Sequence, residues 1–296
     1  MKLQLIGHTY QYAAEQIMTV LFPGEKPEFG DCAGDEDNCA CISLTEGEEW
    51  VTVTAVLHRD GRQAQGVSRA ERKELDADAF ARGRVCQRLV KLSFFKAAVA
   101  ITGETPPWGA LTGIRPARLV TRMLEEGLTE QQAVEKMCGE FFVAPDRAQL
   151  CLSTARASRK AEAELKQNEI SLYVGIPFCP TRCAYCSFVS ASVEKTFSMI
   201  DPYLDALEDE IALMSESVAD LGLRIKSVYM GGGTPTTLSA PQLERLLSSL
   251  ETHFDLSHLA EYTVEAGRPD TVTAEKLAVL RAHGVSRVSI NPQTME

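Results

Sequence analysis

The chain has 296 residues, 45% hydrophobic and 24% charged, with 30 Lys and Arg against 41 Asp and Glu for a formal net charge of −11. That length accommodates two domains and the composition is that of an ordinary soluble globular protein. The acidic balance, with no basic stripe interrupting it, argues against nucleic acid as a partner. No apolar run reaches the roughly 18 residues of a membrane-spanning helix, so no membrane partner is expected. No signal peptide is visible, and the chain is expected to be cytoplasmic, with its nine cysteines reduced.

In chain order, residues 3–6 predict a strand and residues 10–21 a helix, stopped by Pro23 and Gly24. An acidic loop over 30–41 carries Cys32, Cys39 and Cys41. Their C-x6-C-x-C spacing matches no firm metal pattern, and they are expected to be exposed loop cysteines. Residues 50–57 alternate as a strand, and Asp60-Gly61 turns the chain after it. Residues 67–102 predict helix, with 89–101 buried; 106–116 is a loop by its proline and glycine content, and helices run on to about residue 166. Cys86, Cys138 and Cys151 sit in apolar surroundings and read as small buried hydrophobes. The polar, helix-forming stretch 161–167 is the expected boundary between an N-terminal α+β domain, 1–165, whose role the sequence does not give, and a second domain, 166–296.

From Ser171 the pattern becomes strand, loop, helix, repeated. Strands are predicted at 171–176, 227–230, 261–265 and 287–291, and helices at 240–253 and 273–283. Another helix is predicted from Pro202, with Asp201 as its N-cap and Leu204, Leu207, Ile211, Met214 and Val218 as its buried face. Such alternation predicts an α/β fold with parallel strands, right-handed crossovers and ligands at the C-terminal strand ends. The sequence stops at Glu296 just after the fourth strand, too few units to close a barrel, so a piece of a longer protein is expected.

The first of those strands leads into Cys179-Pro-Thr-Arg-Cys183-Ala-Tyr-Cys186. Three thiolates at this spacing can hold three irons of an iron–sulfur cubane and leave the fourth open for a substrate. Zinc remains the alternative, but it prefers two C-x2-C pairs or a nearby histidine pair, and neither is present. The glycine run at 231–233, then Thr234-Pro235-Thr236, lies between a strand and a helix. Its backbone groups could hold the amino and carboxylate groups of an amino-acid-like cofactor, or it could be only a tight turn. Glu265 ends the third strand beside Gly267 and reads equally as a solvated carboxylate or as a partner for an ammonium or a ribose hydroxyl. Tyr173 and Tyr185 flank the cysteines, as core packing or as cofactor contacts. His253, His258 and His283 read as helix-end or surface histidines.

Together the stretch from Tyr173 to Cys186, the run 231–236, Glu265 and Ser289-Ile-Asn-Pro-Gln293 resemble the radical S-adenosylmethionine (SAM) family of oxygen-independent coproporphyrinogen III oxidase. The Gly175-Ile-Pro-Phe-Cys179 variant and the stretch from Trp108 to Pro116 are similar to its coproporphyrinogen dehydrogenase branch. The resemblance covers nearly the whole chain. It implies that residues 166–296 form the first half of a partial (β/α)6 barrel, truncated after its fourth strand. Cys179, Cys183 and Cys186 would ligate a 4Fe-4S cluster, and Gly232, Gly233 and Thr234 would meet the methionine end of SAM. Tyr173, Tyr185 and Glu265 would contact SAM and Gln293 would reach a ribose; the family's remaining SAM ligands would lie beyond Glu296. The implied activity is SAM-dependent oxidative decarboxylation of two propionates of coproporphyrinogen III to vinyl groups, giving protoporphyrinogen IX for heme biosynthesis. It requires an electron-donor protein, and the piece alone is expected to have little activity. Two features depart from the best-known oxidases. Gly175 stands where they have histidine, and Ser187-Phe188 stands where they have a further cysteine. The Cys-x-Phe ending resembles the superfamily's heme chaperones, which keeps a heme-delivery protein as the alternative; the long N-terminal extension favours the dehydrogenase.

Overall fold

The computed structural model describes residues 1–32, 37–76, 78, 80–113, 115–183, 185–188, 191–192 and 196–293. Part of the predicted acidic loop (33–36) and Ile114 of the proline- and glycine-rich stretch lie outside them. The chain divides into two compact units, Met1–Glu164 and Leu165–Glu296.

The first unit is α+β. Its strands are β1 (Lys2–Ile6), β2 (Glu28–Phe29), β3 (Cys39–Glu46), β4 (Trp50–Arg59) and β5 (Arg62–Glu71), in the order β2-β1-β3-β4-β5. β1 runs parallel to both neighbours, whereas β3, β4 and β5 form an antiparallel meander. The period-2 pattern of β4 buries Val51, Val53, Ala55 and Leu57. These join one core with Ile17 and Met18 of α1 (Gln11–Leu21) and Leu89, Phe94 and Phe95 of α2 (Ala81–Thr102). Helices α3 (Pro116–Glu125), α4 (Glu130–Phe141) and α5 (Pro145–Ala163) gather a separate core around Val120, Met137 and Leu152. Cys86 and Cys151 are buried and Cys138 is half-buried.

Two expectations for this unit are corrected. Residues 67–71 belong to β5, not to a helix, and α2 begins only at Ala81. The inward face of β5 is Gly66, Ser68 and Ala70, too small to register as apolar alternation. The small size is needed, because a Cβ on Gly66 would lie 2.0 Å from the Ser93 carbonyl oxygen of α2. Cys39 and Cys41 are strand residues of β3, not loop residues. Cys39 is buried, and both Cys41 and Cys32 are half-buried.

The second unit is α/β, a parallel sheet whose strands alternate with helices. Its sheet holds β6 (Glu169–Ile176), β9 (Arg224–Gly232), β10 (Glu261–Gly267) and β11 (Arg287–Ile290), all parallel, in the order β11-β10-β9-β6. Helices α6 (Ile200–Asp220), α7 (Ala240–His253) and α8 (Ala274–Ala282) alternate with these strands. Val174, Ile176, Val228, Met230, Tyr262 and Val264 share a core with Leu204, Leu243, Leu246, Leu247 and Leu250. α6 starts earlier than predicted. Met199 is its N-cap, and Asp201 sits in the first turn, accepting a 2.7 Å hydrogen bond from the Gln242 side chain of α7. Leu204 and Ile211 are buried, but Met214, expected on the same face, is 45% exposed.

Candidate active site

Period-2 alternation gives the parallel sheet two unlike faces. The face opposite the leucine-rich core carries, in register, Tyr173 beside Tyr229 and Gly175 beside Gly231. Tyr229 is in turn paired with Thr263. The Tyr173 and Tyr229 rings stack at 6.0 Å and 11°. The Tyr229 hydroxyl donates to the Glu265 carboxylate at 2.5 Å, and that bond pushes its phenol up to about 12. Burial, then the Glu265 charge, raises the Tyr173 phenol, although this ring is 61% exposed. A carboxylate is thus held at the strand end beside an open aromatic surface.

The cysteine loop leaves the end of β6 and folds back over the glycine run. Phe178–Cys179 forms a short parallel pair, β7, with Ala191–Ser192, β8. Gly233 donates its amide to the Ile176 carbonyl and Thr234 donates to the Phe178 carbonyl, each at 2.8 Å. A Cβ on Gly233 would stand 2.7 Å from the Phe178 oxygen and 3.0 Å from the Cys179 sulfur. Gly232 has φ of +112°, a backbone that only glycine adopts without strain. Both glycines therefore have a local reason: one turns the chain, the other lets the thiol loop lie against it. The Thr234 hydroxyl lies 3.6 Å from the Cys179 sulfur.

The amides of Gly233 and Thr234 thus tether the loop. The Thr234 hydroxyl is the group of this turn that faces the cysteine. Below it, Thr236 donates to the Ala266 carbonyl at 2.8 Å, and the Lys276 ammonium bonds the carbonyls of Thr236 and Thr271 at 2.6 and 3.0 Å. The loops after β9 and β10 are thereby fixed to each other.

On the far side, the Tyr185 hydroxyl donates to the Gln293 side chain at 2.7 Å, joining the cysteine loop to the segment after β11. The Cys183 thiol, as hydrogen-bond partner, raises the Tyr185 phenol. Arg268 donates to Thr181 of the loop at 2.5 Å and to Asp270, which raises the Arg268 guanidinium further. Cys179, Cys183 and Cys186 are all free and half-buried. The expected cluster and cofactor residues, Cys179, Cys183, Cys186, Gly232, Gly233, Thr234, Glu265 and Gln293, thus lie at or just past the C-terminal ends of the strands, with Tyr173 three residues before the end of β6. No three His, Cys, Asp or Glu side chains among the described residues converge tightly enough to hold a metal ion, the loop cysteines included. The donor chemistry fits an iron–sulfur cluster all the same. Three thiols outside any disulfide share one loop, and a glycine clears the space against Cys179.

Sequence alone does not single out Tyr229 or Arg268. A signal for Tyr229 exists, since it lies two residues before Gly231 and so shares its face. Arg268 carries none, because its value comes from a loop that folds back from 87 residues upstream.

Residues 173–296 match the radical SAM superfamily. The oxygen-independent coproporphyrinogen-III oxidase-like protein HemZ of Bacillus subtilis is 33% identical over 258 residues, covering 86% of this chain and 51% of the relative. The heme chaperone HemW of the same organism is 41% identical over 128 residues, 43% of this chain and 32% of the relative. The oxygen-independent coproporphyrinogen III oxidase of Escherichia coli is 36% identical over 138 residues, 47% of this chain and 29% of the enzyme. The chain spans about half the length of HemZ and about a third of the other two. Among the described residues, no helix is long and apolar enough to cross a membrane.

Proposed function

We propose that this chain, which belongs to the radical SAM family of oxygen-independent coproporphyrinogen III oxidase and its relatives, serves in the oxidative decarboxylation of coproporphyrinogen III to protoporphyrinogen IX. The observation that carries the reading is the seating of the Cys179 loop on Gly233 at the end of the parallel sheet. In this reading Cys179, Cys183 and Cys186 hold a 4Fe-4S cluster, and the turn at Gly232, Gly233 and Thr234 receives the methionine end of SAM. Tyr173, Tyr185 and Glu265 contact the same cofactor, Gln293 meets its ribose, and a separate protein delivers electrons in the cytoplasm.

The bound cluster and SAM supply the radical chemistry that starts oxidation of a propionate side chain. The protein's own residues position and shield. The tethers from Gly233 and Thr234 hold the cysteine loop in place before the cofactors arrive. Tyr229 keeps the Glu265 carboxylate oriented at the strand end, where it can accept from an ammonium or a hydroxyl. The stacked pair of Tyr173 and Tyr229 offers a flat aromatic surface at the same corner.

A second reading, heme delivery, is supported by the Cys186-Ser187-Phe188 ending and by the similarity to HemW across 43% of the chain. Similarity to HemZ extends over 86% of the chain, and this favours the oxidase. The full-length protein, reconstituted without oxygen, is expected to convert coproporphyrinogen III while consuming SAM, with porphyrins separated chromatographically. Cys179→Ser should abolish both the brown cluster absorbance and SAM cleavage. Tight heme binding without decarboxylation would replace the oxidase reading with the chaperone.

A further inference from the structure

The first unit contains a cationic pocket that none of the chemistry above uses. It is about 410 Å³ and lies between α2, the loop at 110–113 and α3. Its charged lining is Arg84, Arg88, Lys91 and Arg122, with no carboxylate among the lining residues, in a chain of net charge −11. Val85, Leu92, Leu111, Leu119 and Phe141 supply apolar wall between these cations.

The four cations are not equivalent. Arg84 is paired with Asp78, and Arg88 with Glu74 at 2.8 Å. Arg122 makes no ion pair among the described residues. Lys91 is half-buried, and among the described residues its ammonium bonds only neutral oxygens, Gln16 Oε1 at 2.7 Å and Thr112 Oγ1 at 2.6 Å. Burial alone pushes its pKa down from the ordinary value. An ammonium has three N–H donors, so one remains beyond these two bonds. A charge taken from water without a counter-charge costs stability, and a lysine serving only packing is readily replaced by an apolar residue. Lys91 and Arg122 therefore form an unneutralised pair of cations at the wall of an apolar cavity of ligand size.

We propose that this pocket binds a small organic anion, a carboxylate or phosphate ester on an apolar body, with Lys91 and Arg122 meeting the acid group and Val85, Leu119 and Phe141 the apolar body. The proposal does not depend on the radical SAM chemistry, because every residue in it lies in the first unit.

Calorimetric titration of the 296-residue chain with octanoate, octyl phosphate and inorganic phosphate tests it. One equivalent of octanoate or octyl phosphate should bind at least tenfold more tightly than inorganic phosphate, and the tighter of the two identifies the head group. Lys91→Met should weaken that binding at least tenfold without lowering the melting temperature of the ligand-free chain, since an unpaired half-buried charge is removed. Arg122→Ala, at an exposed position, should weaken binding at least threefold and provides a second reading should Lys91→Met fold poorly. Absence of one-to-one binding by either octyl compound, equal binding of inorganic phosphate, or unchanged affinity in both variants would overturn the proposal.

Discussion

Gly233→Ala tests how the cysteine loop is seated. The added Cβ would stand 2.7 Å from the Phe178 carbonyl oxygen and 3.0 Å from both the Cys179 sulfur and the Ile176 oxygen. Ordinary contact needs about 3.5 Å, so the loop or the turn must shift by about 0.8 Å. Neither carbonyl can yield like a flexible side chain. If the loop stays, the overpacking costs about 1–3 kcal/mol. If it lifts, it loses the Gly233 and Thr234 tethers, about 1 kcal/mol each. Either route costs about 2 kcal/mol, roughly a 30-fold loss in the seated population. Anaerobic iron–sulfide reconstitution should then give a variant with sharply reduced visible absorbance and a lowered melting temperature. Gly231→Ala is a milder control, because its Cβ meets the Tyr229 ring and the Glu265 carboxyl, which can swing aside. Wild-type cluster loading and melting for Gly233→Ala would refute the seating argument.

Tyr229→Phe removes the donor to Glu265. Two units of raised pKa would imply about 2.7 kcal/mol, but this partly exposed phenol is screened by water, and about 1 kcal/mol is expected. The raised folded value means the bond contributes fully below pH about 10 and is lost as pH rises through about 12. Denaturation across that window should show the loss in wild type and not in Tyr229→Phe. Leu247→Ala, at a fully buried position of α7, should lower stability by about 3 kcal/mol in urea; a cost below about 1 kcal/mol would contradict the assigned core. Arg245 of α7 bonds Glu208 at 2.7 and 2.8 Å and Asp205 at 2.5 Å on α6. Arg245→Met should cost about 0.5–1 kcal/mol at low salt and less at high salt; an effect indifferent to salt would show that packing, not charge, is lost.

The alternation of strands and helices after Ser171 was legible because parallel strands bury one strongly apolar face and each ends in a loop of distinctive residues. The cysteine and glycine motifs were legible for the same reason: their geometry is local to a few residues. What depends on contact between distant segments was not. β5 hid as a helix because its inward residues are small enough to admit α2, and smallness leaves no apolar period to count. Cys39 and Cys41 looked like loop residues beside acidic neighbours, yet their register opposite His58 and Val56 makes them strand. Asp201 resembled a cap, but its carboxylate is held by Gln242 from another helix. That the Gly233 and Thr234 amides bond the returning loop likewise depends on residues far upstream, Ile176 and Phe178, which no local pattern reveals.

Among the described residues strand β11 pairs only with β10 in the sheet, and all four of its residues are exposed. Just past it, Gln293 receives the Tyr185 hydroxyl from between the last two cysteines. The thiol corner is thus latched to the strand most easily peeled away. A segment zipping onto the free flank of β11 would damp its fraying and, through the Tyr185–Gln293 bond, steady the sulfur donors.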